Sequence, residues 1–276
     1  MNERLVVFTD LDGTLLDHHT YSYAAASPAL ERLRRNQVPL ILTSSKSLAE
    51  MEALRGELEN PHPVIAENGA VLGIPTGYFF KAPGSGTEGQ ICPTLMGPSY
   101  SRIVDLLASL REKFGYRFEG FADWDDAGVM RHTELPESAA ARARKRFASE
   151  PIVWQDSEPR RDQFIREVER YHLRTVRGGR FEHVLGTLCD KARAMQMLLN
   201  MYAERDADVR WQTIAAGDSP NDLTMLRNAN FAVVIPGASG KTLDAADHDS
   251  TLFAREPGPV GWNAAINELL DRFQIP

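Results

Sequence analysis

The residues best equipped for chemistry are carboxylates that sit just beyond short apolar runs. Asp10-Leu11-Asp12-Gly13-Thr14 follows Leu5-Val6-Val7-Phe8. Two carboxylates two positions apart, leaving an extended strand, can point into one site. A hard cation such as Mg2+ takes oxygen ligands of this kind, and Gly13 permits the tight turn that follows. Gly217-Asp218-Ser219-Pro220-Asn221-Asp222 repeats the arrangement after Thr213-Ile214-Ala215. Asp218 is placed to complete a metal site with Asp10. Asp222, one helical turn on, can hold a metal-bound water or orient a lysine. A helix N-cap by Asp218 or Ser219 is compatible with both roles. Ser44, in Leu42-Thr43-Ser44-Ser45-Lys46, offers a hydroxyl and nearby N–H groups to phosphate oxygens. Lys191 offers a positive charge to offset carboxylates that face a phosphate dianion.

These residues need a scaffold that gathers strand ends. Leu5–Phe8, Val38–Leu42 and Pro63–Ala66 have the apolar character of buried strands. Helices opened by Ser27-Pro28 and by the capping box Ser47-Leu48-Ala49-Glu50 alternate with them. The pattern returns late, with helix 191–204, strand 211–215, helix 222–227, strand 231–235 and helix 261–273. Alternation of this kind predicts an α/β fold with a Rossmann-like parallel-sheet core and right-handed crossovers. In open parallel sheets, ligands bind at the carboxyl ends of the strands.

The middle of the chain differs in character. Lys81–Gln90 has a loop composition. Expected elements then follow at 101–114 (helix), 116–121 (strand), 136–148 (helix), 152–154 (strand), 160–171 (helix) and 181–184 (strand). The expected organisation is a core of residues 1–84 and 187–276, interrupted by an α+β module at 85–186.

The bulk properties restrict the function class. The 276 residues carry a formal net charge of -7, which argues against nucleic acid or an anionic membrane as the main partner. Apolar runs are strand-sized and predict no membrane span. The N-terminus lacks the layout of a signal peptide. Two cysteines, Cys92 and Cys189, are too few for a disulfide scaffold or a zinc site, and point to a reduced, cytoplasmic protein.

In their order along the chain, these four segments resemble the haloacid dehalogenase superfamily. The insertion resembles the C2-type cap of its sugar-phosphatase branch. Ser44-Ser45-Lys46-Ser47, Ile65-Ala66-Glu67-Asn68-Gly69-Ala70, Pro151-Ile152-Val153-Trp154, Gly179-Arg180-Phe181-Glu182-His183-Val184 and Glu256-Pro257-Gly258-Pro259-Val260-Gly261-Trp262 are similar to the mannosyl-3-phosphoglycerate phosphatase family. Ala192 departs from the pattern, which more usually has glycine after the lysine.

The resemblance implies a Mg2+-dependent phosphatase of a small phosphorylated sugar acid, monomeric or homodimeric. Asp10 is then the nucleophile that forms an aspartyl-phosphate, and Asp12 the acid and base. For that role Asp12 needs a pKa raised above about 4. The expected metal residues are Asp10, Asp12 (through its backbone carbonyl), Asp218 and Asp222, the last able to act through a metal-bound water. Ser44, Lys46 and Asn68 are expected to bind phosphate or substrate, together with Lys191 as a catalytic cation. From the cap, Arg180 is expected to pair with a glycerate carboxylate and His183 to face the site. A phosphomutase and a non-catalytic phosphosugar-binding regulator are the alternatives.

Other strings carry less. Gly84–Gly89 fits a dinucleotide fingerprint but lacks the strand and helix around it, and is expected to be a hinge. Gly237–Thr242 imitates the end of a P-loop without its first glycine. His18-His19 is expected to be a solvated pair. Asp123, Asp125 and Asp126 are expected to form an exposed acidic loop.

Overall fold

The computed structural model of the protein describes residues 2–80, 87, 89–178, 180–237, 240, 242–244 and 250–276. The glycine-rich stretches at 84–89 and 237–242 lie partly outside these residues. The elements run β1 (Asn2–Thr9), α1 (Ser27–Arg35), β2 (Leu40–Thr43), α2 (Leu48–Glu57), β3 (Val64–Ala66), β4 (Val71–Pro75), β5 (Ile91–Leu95), α3 (Tyr100–Phe114), β6 (Phe118–Gly120), α4 (Asp126–Thr133), α5 (Glu137–Ala143), β7 (Ser149–Trp154), α6 (Glu158–Glu169), β8 (Leu173–Gly178), β9 (Phe181–Gly186), α7 (Lys191–Arg205), β10 (Val209–Gly217), α8 (Leu223–Asn228), β11 (Phe231–Val234), β12 (Thr251–Phe253) and α9 (Gly258–Arg272). Among the described residues, no helix is long and apolar enough to cross a membrane.

The core is one eight-stranded sheet in the order β12-β11-β10-β1-β2-β3-β4-β5. Strands β12 to β3 are parallel; β4 runs antiparallel to β3, and β5, antiparallel to β4, returns to the common direction. The α/β class therefore holds, with a mixed rather than wholly parallel sheet. From β1 the chain first builds outward through β2 and β3, and later returns to the other side of β1 with β10. That reversal is a topological switch point, where a crevice opens beyond the strand ends. Thr9 is in register with Ala216 across it, so the loops that carry Asp10 and Asp218 leave the sheet side by side.

Both sheet faces are covered, which is why β1 is apolar at successive positions. Leu5 and Val7 belong to one core cluster, with Trp262 and Leu269 of α9. Val6 and Phe8 belong to the other, with Met195, Leu198 and Tyr202 of α7. A second, four-stranded sheet, β6-β7-β9-β8, forms the cap. It has its own core around Ile103, Phe118, Phe164 and Val184.

Two expectations need correction. The cap does not begin at residue 85, because β5 pairs with β4 and closes the core sheet. The excursion starts after it, with α3. The loop composition before β5 therefore falls between two strands of the core sheet and not at the domain boundary. The helix expected at 136–148 stops at Ala143. Beyond it, the N–H groups of Phe147 and Ala148 turn to the Glu67 carboxylate at 2.8 and 3.1 Å, and β7 begins. The acidic trio is exposed or part-exposed as expected, with each member held by a local partner. Asp125 caps α4 by accepting from Gly128 N at 2.7 Å, Asp123 pairs with Arg111 and Asp126 with Arg144.

The indole of Trp262 ties α9 to the end of β1. It is fully buried and donates from Nε1 to Thr9 Oγ1 at 2.9 Å, one residue before Asp10. Trp262→Ala should therefore lower stability by about 3–5 kcal/mol, measured as a lower urea midpoint at constant m-value. Trp262→Phe should cost about 1 kcal/mol for the lost hydrogen bond, since the Thr9 hydroxyl still donates to Asp10 O at 2.8 Å. Equal midpoints for wild type and Trp262→Ala would contradict this account.

Candidate active site

The centre of the site is a buried ammonium between two carboxylates. Lys191, at the first position of α7, is 1% exposed. Its Nζ donates to Asp10 Oδ1 and Asp222 Oδ1, both at 2.6 Å. Asp190 caps α7 by accepting from Arg193 N, so the helix start that fixes Lys191 is locally encoded. Burial lowers the affinity of Lys191 for its proton, but the two carboxylates outweigh burial and its pKa stands above the ordinary lysine value.

Asp218 lies beside this pair. It accepts from Thr14 Oγ1 at 3.0 Å. Gly13 has φ +85°, a conformation that favours glycine, and a Cβ there would fall 2.8 Å from Asp218 Oδ2 and press on that carboxylate. Asp10, Asp218 and Asp222 each offer one oxygen, and these oxygens lie within 4.8 Å of one another. One ammonium does not balance three carboxylates. Burial and then Asp222 push Asp10 well above the usual carboxylate range. Burial, again with Asp222, pushes Asp218 up to about 6. A compact set of hard oxygens with excess negative charge fits Mg2+.

The carboxylates are not equivalent. Asp222 is fully engaged: Oδ1 accepts from Lys191, and Oδ2 from Ser219 Oγ, Ser219 N and Asp218 N at 2.9, 3.0 and 3.3 Å. It orients the lysine and braces its own loop. Asp12 does not join the cluster with its side chain. Its Oδ2 accepts from Lys46 Nζ at 2.8 Å, while Oδ1 is buried with no hydrogen-bond partner among the described residues. Burial lowers the pKa of Lys46, but Asp12 and then Glu50 reverse this and leave it raised.

Two further loops border the site. Ser44, 2% exposed, directly follows β2, and its Oγ accepts from Lys46 N at 3.2 Å. Glu67 and Asn68 hold left-handed φ angles of 53° and 55°. Their N–H groups bind Lys46 O and Ser44 O, both at 2.9 Å, which stitches the two loops together. Asn68 Oδ1 accepts from Asn221 Nδ2 at 3.2 Å, and its buried Nδ2 has no partner among the described residues. Glu67 is fully buried and also takes Ser149 Oγ at 2.8 Å. Arg146 lies 3.7 Å from Glu67 and donates to Ser45 O at 2.9 Å. The cap thus rests on the loops that carry Ser44, Lys46 and Asn68.

Of the two expected cap residues, the structure engages Arg180 within the cap and buries His183 within electrostatic reach of Lys191. Arg180 is half exposed, donates to Thr133 O at 2.7 Å, and faces Glu134 at 3.5 Å. It ties β9 to the end of α4 within the cap. His183 is 5% exposed. Burial, then Arg146 and Lys191, push its pKa down to about 3, so it is a neutral imidazole inside the cap–core junction. Thr14, Asn221, Glu67 and Arg146 were not singled out from the sequence. Thr14 and Asn221 lie inside the motifs themselves. Arg146 carries no local signal, since only the fold brings it to Ser45.

Comparison with known proteins gives the family. A family described as haloacid dehalogenase-like hydrolase matches residues 7–81 and 134–257. A protein from Persephonella marina named glucosyl-3-phosphoglycerate/mannosyl-3-phosphoglycerate phosphatase is 34% identical over 271 residues, 98% of each chain. One of the same name from Methanococcoides burtonii is 37% identical over 268 residues, 97% of each chain. Among solved structures, a Thermoplasma acidophilum protein aligns over all of both chains with a TM-score of 0.65 at 17% identity. A phosphatase of the haloalkanoate superfamily from Bacteroides thetaiotaomicron covers 99% of this chain and 96% of its own, with a TM-score of 0.64 at 16% identity. At such identities these two structures speak for the fold alone.

The crowded carboxylates make a thermodynamic prediction. A carboxyl whose folded pKa is raised binds more protons folded than unfolded, so the stability it gives is present at low pH and lost as pH rises through the folded value. In metal-free protein with chelator, Asp218→Asn should be about 1–2 kcal/mol more stable than wild type at pH 8. That advantage should vanish as pH falls through about 6 towards 4. Urea denaturation at several pH values measures it; a pH-independent difference would refute the charge-crowding account.

Proposed function

We infer that this chain, which belongs to the haloacid dehalogenase-like hydrolase family, is a Mg2+-dependent phosphatase of glycosyl-3-phosphoglycerates, either mannosyl or glucosyl, acting through an aspartyl-phosphate. The observation that carries the reading is the buried Asp10–Lys191–Asp222 arrangement with Asp218 beside it, at the switch point of the sheet. The substrate class rests on two relatives of that name that match nearly end to end. A reduced cytoplasm suits the two free cysteines.

Asp10 and Asp218, with the backbone carbonyl of Asp12, would hold the Mg2+. When bound, it would neutralise the phosphoryl group and orient it for in-line displacement. Lys191 takes up Oδ1 of Asp10 and leaves the other oxygen as nucleophile. That oxygen forms a bond to phosphorus as the bond to the leaving oxygen breaks. Asp12 delivers a proton to the leaving alkoxide, and later takes one from the water that attacks the aspartyl-phosphate and frees inorganic phosphate. Oδ1 of Asp12 suits this work, since it is held with no partner while Lys46 occupies Oδ2. Ser44, the amide of Asn68 and Lys191 surround the phosphoryl oxygens. The ammonium also offsets repulsion between nucleophile and substrate.

Phosphate release from mannosyl- and glucosyl-3-phosphoglycerate, with and without Mg2+, tests the reading. Asp10→Asn and chelation should each lower kcat by at least about a thousandfold. Asp12→Asn should lower it about a hundredfold or more. Release confined to simple hexose phosphates would keep the chemistry and reject the substrate class. An isomerised sugar phosphate in place of free phosphate would replace the phosphatase with a mutase.

A further inference from the structure

The expected leaving-group contact, Arg180, is engaged inside the cap, which leaves open what recognises the sugar. In-line displacement answers where to look. The leaving oxygen departs on the side of phosphorus opposite the attacking Asp10, and the acid that protonates it must reach it. The leaving group therefore lies beside Asp12. The side chain hydrogen-bonded to Asp12 is Lys46, and the Lys46 Nζ sits 5.2 Å from the centroid of the Tyr21 ring. All three belong to the core.

Tyr21 has the marks of a built feature. Its ring is 49% exposed, although aromatic side chains are bulky apolar groups that folding tends to cover. Its backbone holds a φ of 56°, an uncommon conformation for a bulky residue that persists only where the surroundings impose it. The surroundings are explicit. Tyr21 N donates to Asp17 O at 2.9 Å, and Asp17 N to Ser22 O at 2.9 Å. The Asp17 carboxylate gathers His19 N, Thr20 N and Thr20 Oγ1 at 3.1, 2.8 and 2.8 Å. Strain of this size at an exposed aromatic beside the general acid points to use.

We propose that Tyr21 is a specificity-determining residue: its ring is the platform on which the glycosyl ring of the leaving group packs, with Lys46 beside it. One face of a pyranose presents C–H groups, a small apolar surface that suits an aromatic face and gains from being covered. This rests on the phosphatase reading above and deepens it, since it assigns sugar recognition to the loop after the nucleophile and not to the cap strand that carries Arg180. If Tyr21 only shielded Lys46, its loss would act through Asp12 on every phosphate ester alike.

The test compares ligands that differ only by the sugar. Dissociation constants of glucosyl-3-phosphoglycerate and of 3-phosphoglycerate are measured by calorimetry on Asp10→Asn protein, with and without Tyr21→Ala or Tyr21→Phe. Turnover of the glycosyl substrate is measured separately on protein that keeps Asp10. Tyr21→Ala should weaken the glycosylated ligand about tenfold relative to 3-phosphoglycerate, Tyr21→Phe should retain most of the preference, and in turnover the loss should appear in KM. An equal loss for both ligands, or no loss for either, overturns the platform while leaving the phosphatase reading intact. Absence of both binding and turnover of the glycosyl substrate in otherwise wild-type protein overturns that reading, and the platform with it.

Discussion

Everything at the site depends on burying one ammonium among carboxylates. Removing such charges from water costs several kcal/mol each, and only close geometry and further hydrogen bonds offset this. Lys191 meets the condition with two contacts of 2.6 Å. Asp222 meets it with donors on both oxygens. Asp10 and Asp218 do not: each is raised above the ordinary carboxylate range, first by burial and then by its neighbours. The sequence spends stability there, and the deficit has the charge and donor type that a divalent cation removes.

The sheet makes that concentration of charge possible. Because β10 returns beside β1, two loops far apart in sequence leave the sheet in register. Thr14 then reaches Asp218 across 204 residues of chain. The closeness also explains where glycine is favoured. Gly13 makes room for Asp218, and Gly69, at φ +88°, passes so near Asp190 that a Cβ would lie 2.2 Å from its carbonyl oxygen. Each glycine stands where one loop crosses another, and each crossing adjoins a residue of the site.

The legible part of this protein was its strand-end chemistry. Asp10, Asp12, Asp218 and Lys191 declare themselves because each follows or opens a regular element with its own local signal: an apolar run, a capping residue, a turn glycine. The α/β order was legible for the same reason. What local pattern does not contain is pairing across the fold. Ile91–Leu95 has an exposed face, so its membership of the core sheet follows from β4 and not from its own composition. The stretch after Ala143 has helical character, yet Glu67, some eighty residues earlier, draws its N–H groups away. Arg180 and His183 were assigned to the site through a family-like stretch of sequence. In the fold one is pinned to the end of α4 and the other sits neutral inside the cap–core junction.

Glu67 carries the last step of the argument. A fully buried carboxylate from the core receives two cap N–H groups and a cap hydroxyl. The Arg146 beside it reaches back to Ser45 O. Losing one partner of such a set leaves an uncompensated charge, so the 147–149 segment of the cap belongs mechanically to the core. The loops fixed by this junction are those of Ser44, Lys46 and Asn68. A cap docked in this way does more than cover the cleft: it fixes the loops of Ser44, Lys46 and Asn68 beside Asp10. The loop after Asp10 is held by Asp17 and by none of these cap contacts, so on the reading proposed above recognition of the leaving group falls to it.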